Sequence, residues 1–446
     1  MSRLTELEEE YRKIVEEDRA AHAQSAPGIV DYIQHSTAKY HGRCVRTLYL
    51  PKLFTEEEVQ LFEELIHTLY GIFDKVIQKY REEESYRKLF GFDQRLEKLI
   101  LRKPAYDCSI PIARIDLFLN EETREFWFCE FNTDGSSAMN EDRELNHAIR
   151  GTKAFQEFAK RYELRTFELF DSWVEEFLKI YESFAPGQKL TSVAIVDFME
   201  SATSEEFKIF AEAFEKRNIR AEICEIRELV YEEGALLTPS GRKIDAIYRR
   251  AVTSDIMKHF EEVGPFLQAV EEGAVCLVGD FTTQIVHNKV LYKILHDPAT
   301  QAFLTEKERK YVQEHVPYTV SLNTGSYPYE EVIAHKDAWI IKPEDSYGSM
   351  GVHAGVECSK EEWKEYVDQC TDHSYILQQF CRPYETLNID LLKDPEAEFR
   401  PYSNLTGLFV YNGKFKGCYS RISQSEIIST QYSEMALPTV IVGERK

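Results

Sequence analysis

Two pairs of polar residues stand in a predicted β-hairpin. Arg114 and Asp116 are two residues apart in IPIARIDLFLN, and Glu130 and Asn132 are two apart in REFWFCEFNTD. Because side chains alternate between the faces of a strand, each pair projects to one side. If the strands pair in register, one arginine and three oxygen ligands suited to Mg²⁺ share a face. A solvated hairpin face with a salt bridge is the alternative, since the flanking apolar residues are those of any half-buried hairpin.

A second candidate is the segment IIKPEDSYGSMGVHAG, where an apolar strand ends at Lys342 and a loop with Gly348 and Gly351 follows. Glycines let a backbone approach phosphate oxygens, and a lysine supplies a point charge. The segment matches neither G-x-x-x-x-G-K-[ST] nor G-x-G-x-x-G, so a plain hairpin turn explains it nearly as well.

Three further positions have chemistry that depends on their surroundings. Lys289 opens the helix VHNKVLYKIL after the strand AVCLVGDF. The strand YILQQFC runs into a proline-containing segment that would present backbone groups of Gln379 to Cys381 to an adenine ring. Arg421 in GCYSRIS could neutralise a transferring phosphoryl group. Each has a structural alternative, such as a surface lysine or a buried strand.

The elements that must position these residues begin with helices. Helical periodicity dominates residues 1–105, as in FTEEEVQLFEELIHTLYGIFDKVIQKYREEE, whose start is predicted at Thr55. The hairpin follows with the turn Asn120–Thr123. Helices are predicted again through residues 141–183, and the turn residues Ala185–Gly187 mark a boundary.

Strands and helices then alternate over residues 190–285. The strands SVAIVDF, RAEICEI, IDAIYRRA and AVCLVG, with the helices EEFKIFAEAFEKRN and MKHFEEVGPFLQAVEEG, indicate a small doubly wound parallel sheet. Three strands, DAWIIKP, GVHAGVE and SYILQQFC, surround the helix KEEWKEYVDQC, and the tail alternates like antiparallel strands. We therefore predict a mixed α/β (α+β) chain with four parts: 1–187, 188–285, 286–385 and 386–446.

Composition limits the classes of function. The 446 residues carry a formal charge of −23 without a concentrated basic patch, which argues against a nucleic-acid partner. The nine cysteines are scattered without a C-x-x-C pair, which favours reduced thiols inside a cell over disulfides or zinc. No apolar run is long enough for a membrane helix, and the charged start MSRLTELEEEYRKIVEED is not a signal peptide. We expect a cytoplasmic protein that binds no membrane.

Taken in chain order, the motifs resemble the synthetase domain of the glutathionylspermidine synthase family, which are circularly permuted ATP-grasp ligases. They are R-I-D…E-F-N-T-D-G-S-S, H-N-K, I-I-K-P…Y-G-S-M-G, Q-Q-F and Y-S-R-I. The resemblance extends over most of the chain, weakly before about residue 105 and in the middle. It implies a circularly permuted ATP-grasp fold with a preATP-grasp-like doubly wound subdomain and a helical N-terminal region.

The resemblance also implies roles. Asp116, Glu130 and Asn132 would hold Mg²⁺, Arg114 would contact the phosphoryl group or acyl-phosphate, and Arg421 would stabilise the transition state. Lys289 and Lys342 would bind the ATP phosphates. The covering loop and the adenine hinge would comprise Ser346, Tyr347, Gly348, Ser349, Met350, Gly351, Gln378, Gln379 and Phe380.

The implied substrate contacts are less uniform. The family's acidic pair for the amine falls at Glu205 and Glu206, although acids also favour helix N-termini in general. Arg249 and Arg250, in a segment more similar to other permuted ATP-grasp ligases, would anchor a carboxylate or phosphate, or cap a strand end. Ser137 keeps one of two serine places for the peptide acid.

The other serine place holds Gly135, which argues against assuming glutathione. The implied reaction is ATP-dependent joining of a small-molecule or peptide carboxylate to an amine through an acyl-phosphate. Two alternatives remain: an ATP-binding regulatory or scaffold protein that ligates nothing, and a ligase whose nucleophile is not an amine.

Overall fold

The computed structural model describes residues 2–40, 42–346, 348, 350–429 and 434–446. The N-terminal region is mostly helical, as predicted. Its elements are α1 (Arg3–Glu17), α2 (Arg19–Ser25), α3 (Pro27–His35), β1 (Lys39–Tyr40), β2 (Arg43–Cys44), β3 (Lys52–Phe54), α4 (Glu56–Glu82), α5 (Glu84–Arg87) and α6 (Gln94–Ile100). The long helix α4 begins at the predicted cap, because Thr55 and Glu58 satisfy each other's backbone N–H groups.

The predicted hairpin follows, and then a helical stretch with one short strand that the sequence did not indicate. These elements are β4 (Ile112–Leu119), β5 (Phe126–Asn132), α7 (Met139–Ile149), α8 (Lys153–Arg161), β6 (Tyr162–Arg165) and α9 (Phe170–Phe184). The turn between β4 and β5 closes through Asn120, whose N–H donates to Glu125 O at 2.8 Å.

The next region is the predicted parallel sheet. Its elements are β7 (Ser192–Asp197), α10 (Ser204–Glu215), β8 (Arg220–Glu225), β9 (Val230–Glu232), β10 (Ala235–Leu237), β11 (Ala246–Arg249), α11 (Thr253–Lys258), α12 (Gly264–Glu271) and β12 (Cys276–Val278). The strand order is β12-β11-β7-β8, all parallel. Because the chain runs outward from β7 to β8 on one side and from β11 to β12 on the other, the sheet is doubly wound.

The structure has two helices in this region where the sequence predicts one. We expected MKHFEEVGPFLQAVEEG to be continuous, but α11 ends at Lys258 and α12 begins at Gly264. Pro265 lies in the first turn of α12, where a missing N–H costs nothing, and proline disfavours helical backbone in the residue before it.

A smaller antiparallel sheet comes next. Its region contains α13 (Gln284–His287), α14 (Val290–His296), α15 (Pro298–Gln301), α16 (Glu306–His315), β13 (Thr319–Ser321), α17 (Tyr329–Ala334), β14 (Trp339–Pro343), β15 (His353–Ala354), α18 (Lys360–Cys370) and β16 (Tyr375–Gln379). The strand order is β13-β16-β14-β15. Seven buried side chains form a separate core beneath this sheet: Leu322, Val332, Ile341, Trp363, Val367, Cys370 and Leu377.

The tail completes the largest sheet. It contains β17 (Glu385–Asn388), β18 (Arg400–Tyr411), β19 (Lys414–Ser423), β20 (Met435–Leu437) and β21 (Thr439–Arg445). The large sheet runs β20-β19-β18-β4-β5 with β17 also paired to β18, so the early hairpin is completed by strands nearly 300 residues later. The strand β21 joins β3 and β6 in a three-stranded sheet.

No helix in the described ranges combines the length and the apolarity that crossing a bilayer requires.

Candidate active site

The hairpin has the register that brings its polar pairs together. Asp116 lies opposite Glu130, and Arg114 lies opposite Asn132. A β-bulge between these pairs and the rest of the hairpin leaves Cys129 without a partner on β4, since Leu117 lies opposite Phe128. The polar residues therefore face one side, while the apolar residues on both sides of the bulge face the core.

Asp116 is the centre of a buried charge network. Its Oδ1 accepts from Arg114 Nε at 2.8 Å, and its Oδ2 accepts from Arg421 Nη2 at 2.6 Å and from Asn132 Nδ2 at 3.1 Å. Both arginines also lie over the ring of Tyr419, at 5.7 and 5.4 Å from its centroid. β4, β5 and β19 thus fix both arginines beside one carboxylate.

A second ion pair joins the hairpin to the helical region that follows the parallel sheet. Lys289 Nζ lies 2.8 Å from Glu130 Oε1 and donates to Ser346 O at 2.8 Å. Burial alone would raise the pKa of Glu130, but Lys289, followed by Lys342 and His287, lowers it to about 2. Glu130 is therefore an anion at neutral pH.

The small sheet contributes the second lysine. Lys342 Nζ on β14 donates to Gln378 Oε1 on β16 at 2.8 Å. Beyond this point the backbone N–H groups of Gln379 and Phe380 donate to Tyr318 O and Ala338 O, each at 2.8 Å. These bonds hold the end of β16 beside the lysine.

The glycine-containing loop connects β14 to β15. Gly348 and Gly351 have positive φ of 65° and 71°, a backbone that glycine adopts readily. A Cβ at Gly351 would come within 3.1 Å of Pro343 and Tyr375 side chains. Met350 is exposed. The loop residues Tyr347 and Ser349 lie outside the described residues.

A narrow cleft lies between the small sheet and the large sheet. The predicted phosphate and hinge residues line it together with an apolar group. Its polar and hinge lining includes Asp116, Glu130, Lys289, Lys342, Ser346, Gln378, Gln379, Phe380, Arg421 and Glu426, and its apolar lining includes Phe118, Ile340, Val352, Leu405 and Ile427. Apolar side chains together with a few charged groups are the kind of lining that small-molecule sites have.

A wide cavity adjoins the narrow cleft. It lies between the large sheet and the carboxyl ends of the parallel strands. Its charged lining includes Arg43, Arg46, Arg114, Glu130, Asp134, Glu141, Asp197, Arg250, Asp255, Arg421 and Glu434. The narrow cleft and the wide cavity share Glu130, Arg421 and Ile428, so the two spaces meet at the hairpin.

The predicted metal ligands fit Mg²⁺ in type and number. Asp116, Glu130 and Asn132 supply two carboxylates and one amide oxygen on paired strands, and Mg²⁺ binds few protein ligands. Clusters of three or more His, Cys, Asp or Glu side chains placed for a metal do not occur in the described residues, and this set is not of that kind. Arg114 and Arg421 already bond Asp116, and a carboxylate has about four lone-pair sites, so a metal ion at Asp116 would add to these contacts.

The structure places some of the predicted substrate residues in the wide cavity and others outside its lining. Arg250 lines the wide cavity and pairs with Glu206 at 3.0 Å. Arg249 is fully buried and paired with Asp134 at 2.7 Å, which corresponds to the strand-end alternative. Glu205 pairs with Lys208 near the surface. Neither glutamate is among the described residues that line the wide cavity.

The loop after β5 explains the glycine that replaces an expected serine. Gly135 has a φ of 63°, and a Cβ there would lie 2.8 Å from Arg250 O and from Val252 Cγ1. Any side chain is therefore excluded at this position. Ser137, also in the wide cavity, accepts from Arg114 Nη1 through its carbonyl oxygen at 3.0 Å.

Sequence reasoning missed three groups in the wide cavity: Glu141 in the first turn of α7, Asp197 at the end of β7, and His287. Burial and then Glu206 raise the pKa of Glu141 to about 8, and burial raises that of Asp197 to about 7. His287 Nδ1 is buried without a hydrogen-bond partner among the described residues. The strand-end position of Asp197 and the motif H-N-K were the available signals.

The thiols of the narrow cleft are unsuited to nucleophilic chemistry. Burial raises the pKa of Cys129 to about 11 and that of Cys381 to about 12. Because the thiolate is the reactive form, both side chains stay protonated and inert at neutral pH.

Comparison with known proteins adds a family. The model of circularly permuted ATP-grasp type 2 proteins matches residues 56–416. Among solved structures, a glutathione synthetase-like effector from Globodera pallida in its apo form has a TM-score of 0.57 at 10% identity, with 93% of this chain and 96% of that chain covered. None of the curated proteins matches.

Two other solved structures are similar over part or most of the chain. A putative gamma-glutamylcysteine synthetase from Methylobacillus flagellatus KT has a TM-score of 0.42 at 11% identity, covering 85% of both chains. A D-cycloserine synthetase has a TM-score of 0.26 at 13% identity, covering 55% of this chain and 90% of that chain.

At such identities the effector shows the fold alone, whereas the family match extends over most of the chain. The family match confirms the predicted circularly permuted ATP-grasp fold and supports an ATP-dependent ligase in general. The chain belongs to the circularly permuted ATP-grasp type 2 family.

Proposed function

We propose that this protein is an ATP-dependent ligase that joins a carboxylate to an amine through an acyl-phosphate. The observation that carries the proposal is that the narrow cleft and the wide cavity meet at Glu130 and Arg421. A phosphoryl group transferred between the two spaces would pass beside the side chains of Glu130 and Arg421. The acid and the amine would occupy the wide cavity, while ATP, as a substrate, would occupy the narrow cleft.

ATP would bind with its adenine in the apolar part of the narrow cleft. Because the N–H groups of Gln379 and Phe380 already donate to Tyr318 and Ala338, adenine contacts there fall to their carbonyl oxygens. Lys342 and Lys289 would contact the phosphates, and the loop from Ser346 to Gly351 would cover them. Gln378 orients Lys342 for this contact.

Asp116, Glu130 and Asn132 would hold Mg²⁺, which when bound neutralises charge on phosphate oxygens. The protein's own cations contribute in the same place. Arg421 and Arg114 are positioned by Asp116, so they can spread the charge that develops on a transferring phosphoryl group without reorganising.

The reaction would proceed in two displacements. A substrate carboxylate oxygen attacks the γ-phosphorus, the bond from that phosphorus to ADP breaks, and an acyl-phosphate forms. A neutral amine nitrogen then attacks the acyl carbon, and the carbon–oxygen bond to phosphate breaks. The remaining excess proton on nitrogen leaves with the phosphate, so the products are an amide, ADP and phosphate. No protein nucleophile is needed, in keeping with the protonated thiols.

Two substitutions test the assignment of the narrow cleft. Lys342→Ala and Asp116→Ala should each lower amine-dependent ADP release by a hundredfold or more, on the order expected for removing a preorganised charge at phosphoryl transfer. The substrates would come from an ADP-release screen of amino acids and short peptides against polyamines and amino-acid amines. Lys293→Ala is the matched control, because Lys293 is half-buried nearby and bonds Ser321 instead.

Circular dichroism would establish that each variant is folded, with Asp116→Asn as the isosteric version of the second substitution. Near-normal turnover in either variant would remove the site assignment. Magnesium-dependent thermal stabilisation by ATP, without ADP release for any acid and amine, would instead indicate a nucleotide-binding regulator. Product mass spectra would reveal a thiol or hydroxyl nucleophile.

A further inference from the structure

The loop that follows β14 is held against α13 and the residues after it by three hydrogen bonds. Gln284 Nε2 donates to Asp345 Oδ2 at 2.5 Å. The other two come from Lys289, whose N–H donates to Glu344 O and whose Nζ donates to Ser346 O, each at 2.8 Å. Three consecutive loop residues are therefore fixed before the glycine-containing part of the loop begins.

The short helix α13 is itself attached to the hairpin region. All four of its residues, Gln284–His287, are buried. Immediately before the helix, the backbone carbonyl of Thr283 accepts a hydrogen bond from Thr133 Oγ1, in the loop after β5, at 2.8 Å. The bond from Gln284 to Asp345 therefore connects the loop after β14 to the side of the protein that carries the hairpin.

Glutamine is an unfavourable residue for the buried position 284. The residue is only 1% exposed, and its Oε1 is buried without a hydrogen-bond partner within the described part of the chain. Because an unsatisfied buried polar atom lowers stability, an apolar side chain of the same shape would suit the folded protein better. What Gln284 supplies, and an apolar side chain cannot, is the bond to Asp345.

This bond keeps the carboxylate of Asp345 out of the narrow cleft. Among the described residues, Ser346 lines the cleft whereas Asp345 does not. Asp345 is nevertheless close to Lys289, because the carbonyl oxygen of the next residue accepts from Lys289 Nζ. Lys289 is buried, and opposite charges attract strongly where water is scarce. A carboxylate released from Gln284 would therefore compete with phosphate oxygens for this ammonium group.

We propose that Gln284 is a positioning residue for ATP, an inference that rests on the proposed nucleotide site in the narrow cleft. By holding Asp345 outside the cleft, Gln284 keeps a second carboxylate away from Lys289, which already pairs with Glu130. Lys289 thus stays available to the phosphates. The role is electrostatic and not a general support of the loop, because Lys289 already fixes the residues on both sides of Asp345.

The affinity for ATP with Mg²⁺, measured by isothermal titration calorimetry without acid or amine, tests this role. Gln284→Met keeps an unbranched side chain of similar length and removes the bond. The dissociation constant of MgATP should then rise about tenfold, as expected for the loss of one charge-assisted contact. In the double variant Gln284→Met/Asp345→Asn no carboxylate is released, so we expect an affinity close to that of the wild type.

Gln268→Met is the matched control. Gln268 also donates to a carboxylate, that of Glu272 at 2.9 Å, but it is exposed and is not among the described residues that line either cavity. Its affinity for MgATP should equal that of the wild type. Since Gln284→Met removes an unsatisfied polar atom, we expect it to fold; Gln284→Leu is a second variant for the same series.

Two results would overturn the proposal. One is an unchanged affinity for MgATP in Gln284→Met. The other is a double variant as weak as Gln284→Met, because loss of support for the loop would then explain the effect without the charge of Asp345.

The calorimetric series also separates this inference from the proposed ligase. Binding of MgATP requires no turnover, so the series decides the role of Gln284 even if no pair of acid and amine releases ADP. That result would overturn the ligase alone. Absence of MgATP binding to the wild-type protein would overturn the nucleotide site and the role of Gln284 together.

Discussion

At the scale of single residues, the proposed reaction centre consists of side chains that hold one another in place before any substrate arrives. Arg114 and Arg421 share the carboxylate of Asp116, and Glu130 is held by Lys289. Preorganised charges of this kind act on a transition state without first having to reorient. Close packing also explains Gly135. Because it has no side chain, the loop after β5 can contact the end of β11.

Gly135→Ala tests that contact. Alanine at a φ of 63° is strained, and its Cβ would lie 2.8 Å from the carbonyl oxygen of Arg250. We expect the free energy of unfolding to fall by about 2–4 kcal/mol, measured by urea denaturation. Gly187→Ala is the matched control: its φ is 72° with no atom within 4 Å, so it should cost only about 1 kcal/mol. Equal losses in the two variants would contradict a steric role for Gly135.

At the scale of elements, the bulge in β5 determines which of its residues face Asp116. Phe126 and Phe128 are buried on the core side before the bulge, and Phe131 is buried on the same side after it. An unbroken strand would present alternate residues to one face and could not bury all three. The extra residue Cys129 therefore lets Glu130 and Asn132 point toward Asp116.

Deleting Cys129 would remove the bulge. The residues on one side of it would then point to the opposite face of the sheet. Either the preceding phenylalanines leave the core or Glu130 enters it, so we expect a loss of at least about 3 kcal/mol in unfolding free energy. Cys129→Ala keeps the bulge and removes only one small side chain, so it should lose about 1 kcal/mol. Chemical denaturation of both variants makes the comparison. A deletion no worse than Cys129→Ala would mean that the bulge does not set the register.

An element could be predicted when residues adjacent in the sequence carry its pattern, and not when it depends on pairing with a distant strand. The cap of α4 and the strands β7, β8, β11 and β12 followed from residues that are adjacent in sequence. The short strand β6 exists only because it pairs with β21, nearly 280 residues away, and its four residues carry no pattern of their own. The bulge was equally hidden, since alternation in the sequence does not reveal an unpaired residue.

The candidate site divides in the same way. Arg114, Asp116, Glu130 and Asn132 were predicted as one group because a hairpin relates them through local spacing, and the register agrees. Glu141 and Asp197 gave no comparable signal, because the cavity that joins them forms only when the parallel sheet packs against the large sheet.

At the scale of the whole molecule, the strand β21 connects distant parts of the chain. It pairs in parallel with β3 and antiparallel with β6, so the N-terminal region, the middle and the tail meet in one sheet. Val440, Ile441 and Val442 are buried there. Their burial is worth roughly 1.5–3 kcal/mol each, a total comparable with the net stability of a domain.

Removing residues 439–446 should therefore abolish cooperative unfolding. Thermal denaturation followed by circular dichroism would check this, and we expect the truncated protein to be degraded rapidly by a nonspecific protease. Removing only residues 445–446, which are exposed, should leave the Tm within a few degrees of the full chain. A sharp transition after the longer truncation would show that β21 is dispensable.

Under the proposed function, the two co-substrates occupy the narrow cleft and the wide cavity, which share part of their lining. Arg421 belongs to both, and it is bonded to Asp116, which lines only the narrow one. A ligand that draws Arg421 toward one side changes the charge presented to the other. Linkage is reciprocal, so whatever factor ATP contributes to the affinity for the acid, the acid must contribute to the affinity for ATP. Under the proposed function, Arg421 is thus a side chain through which the two co-substrates would be coupled.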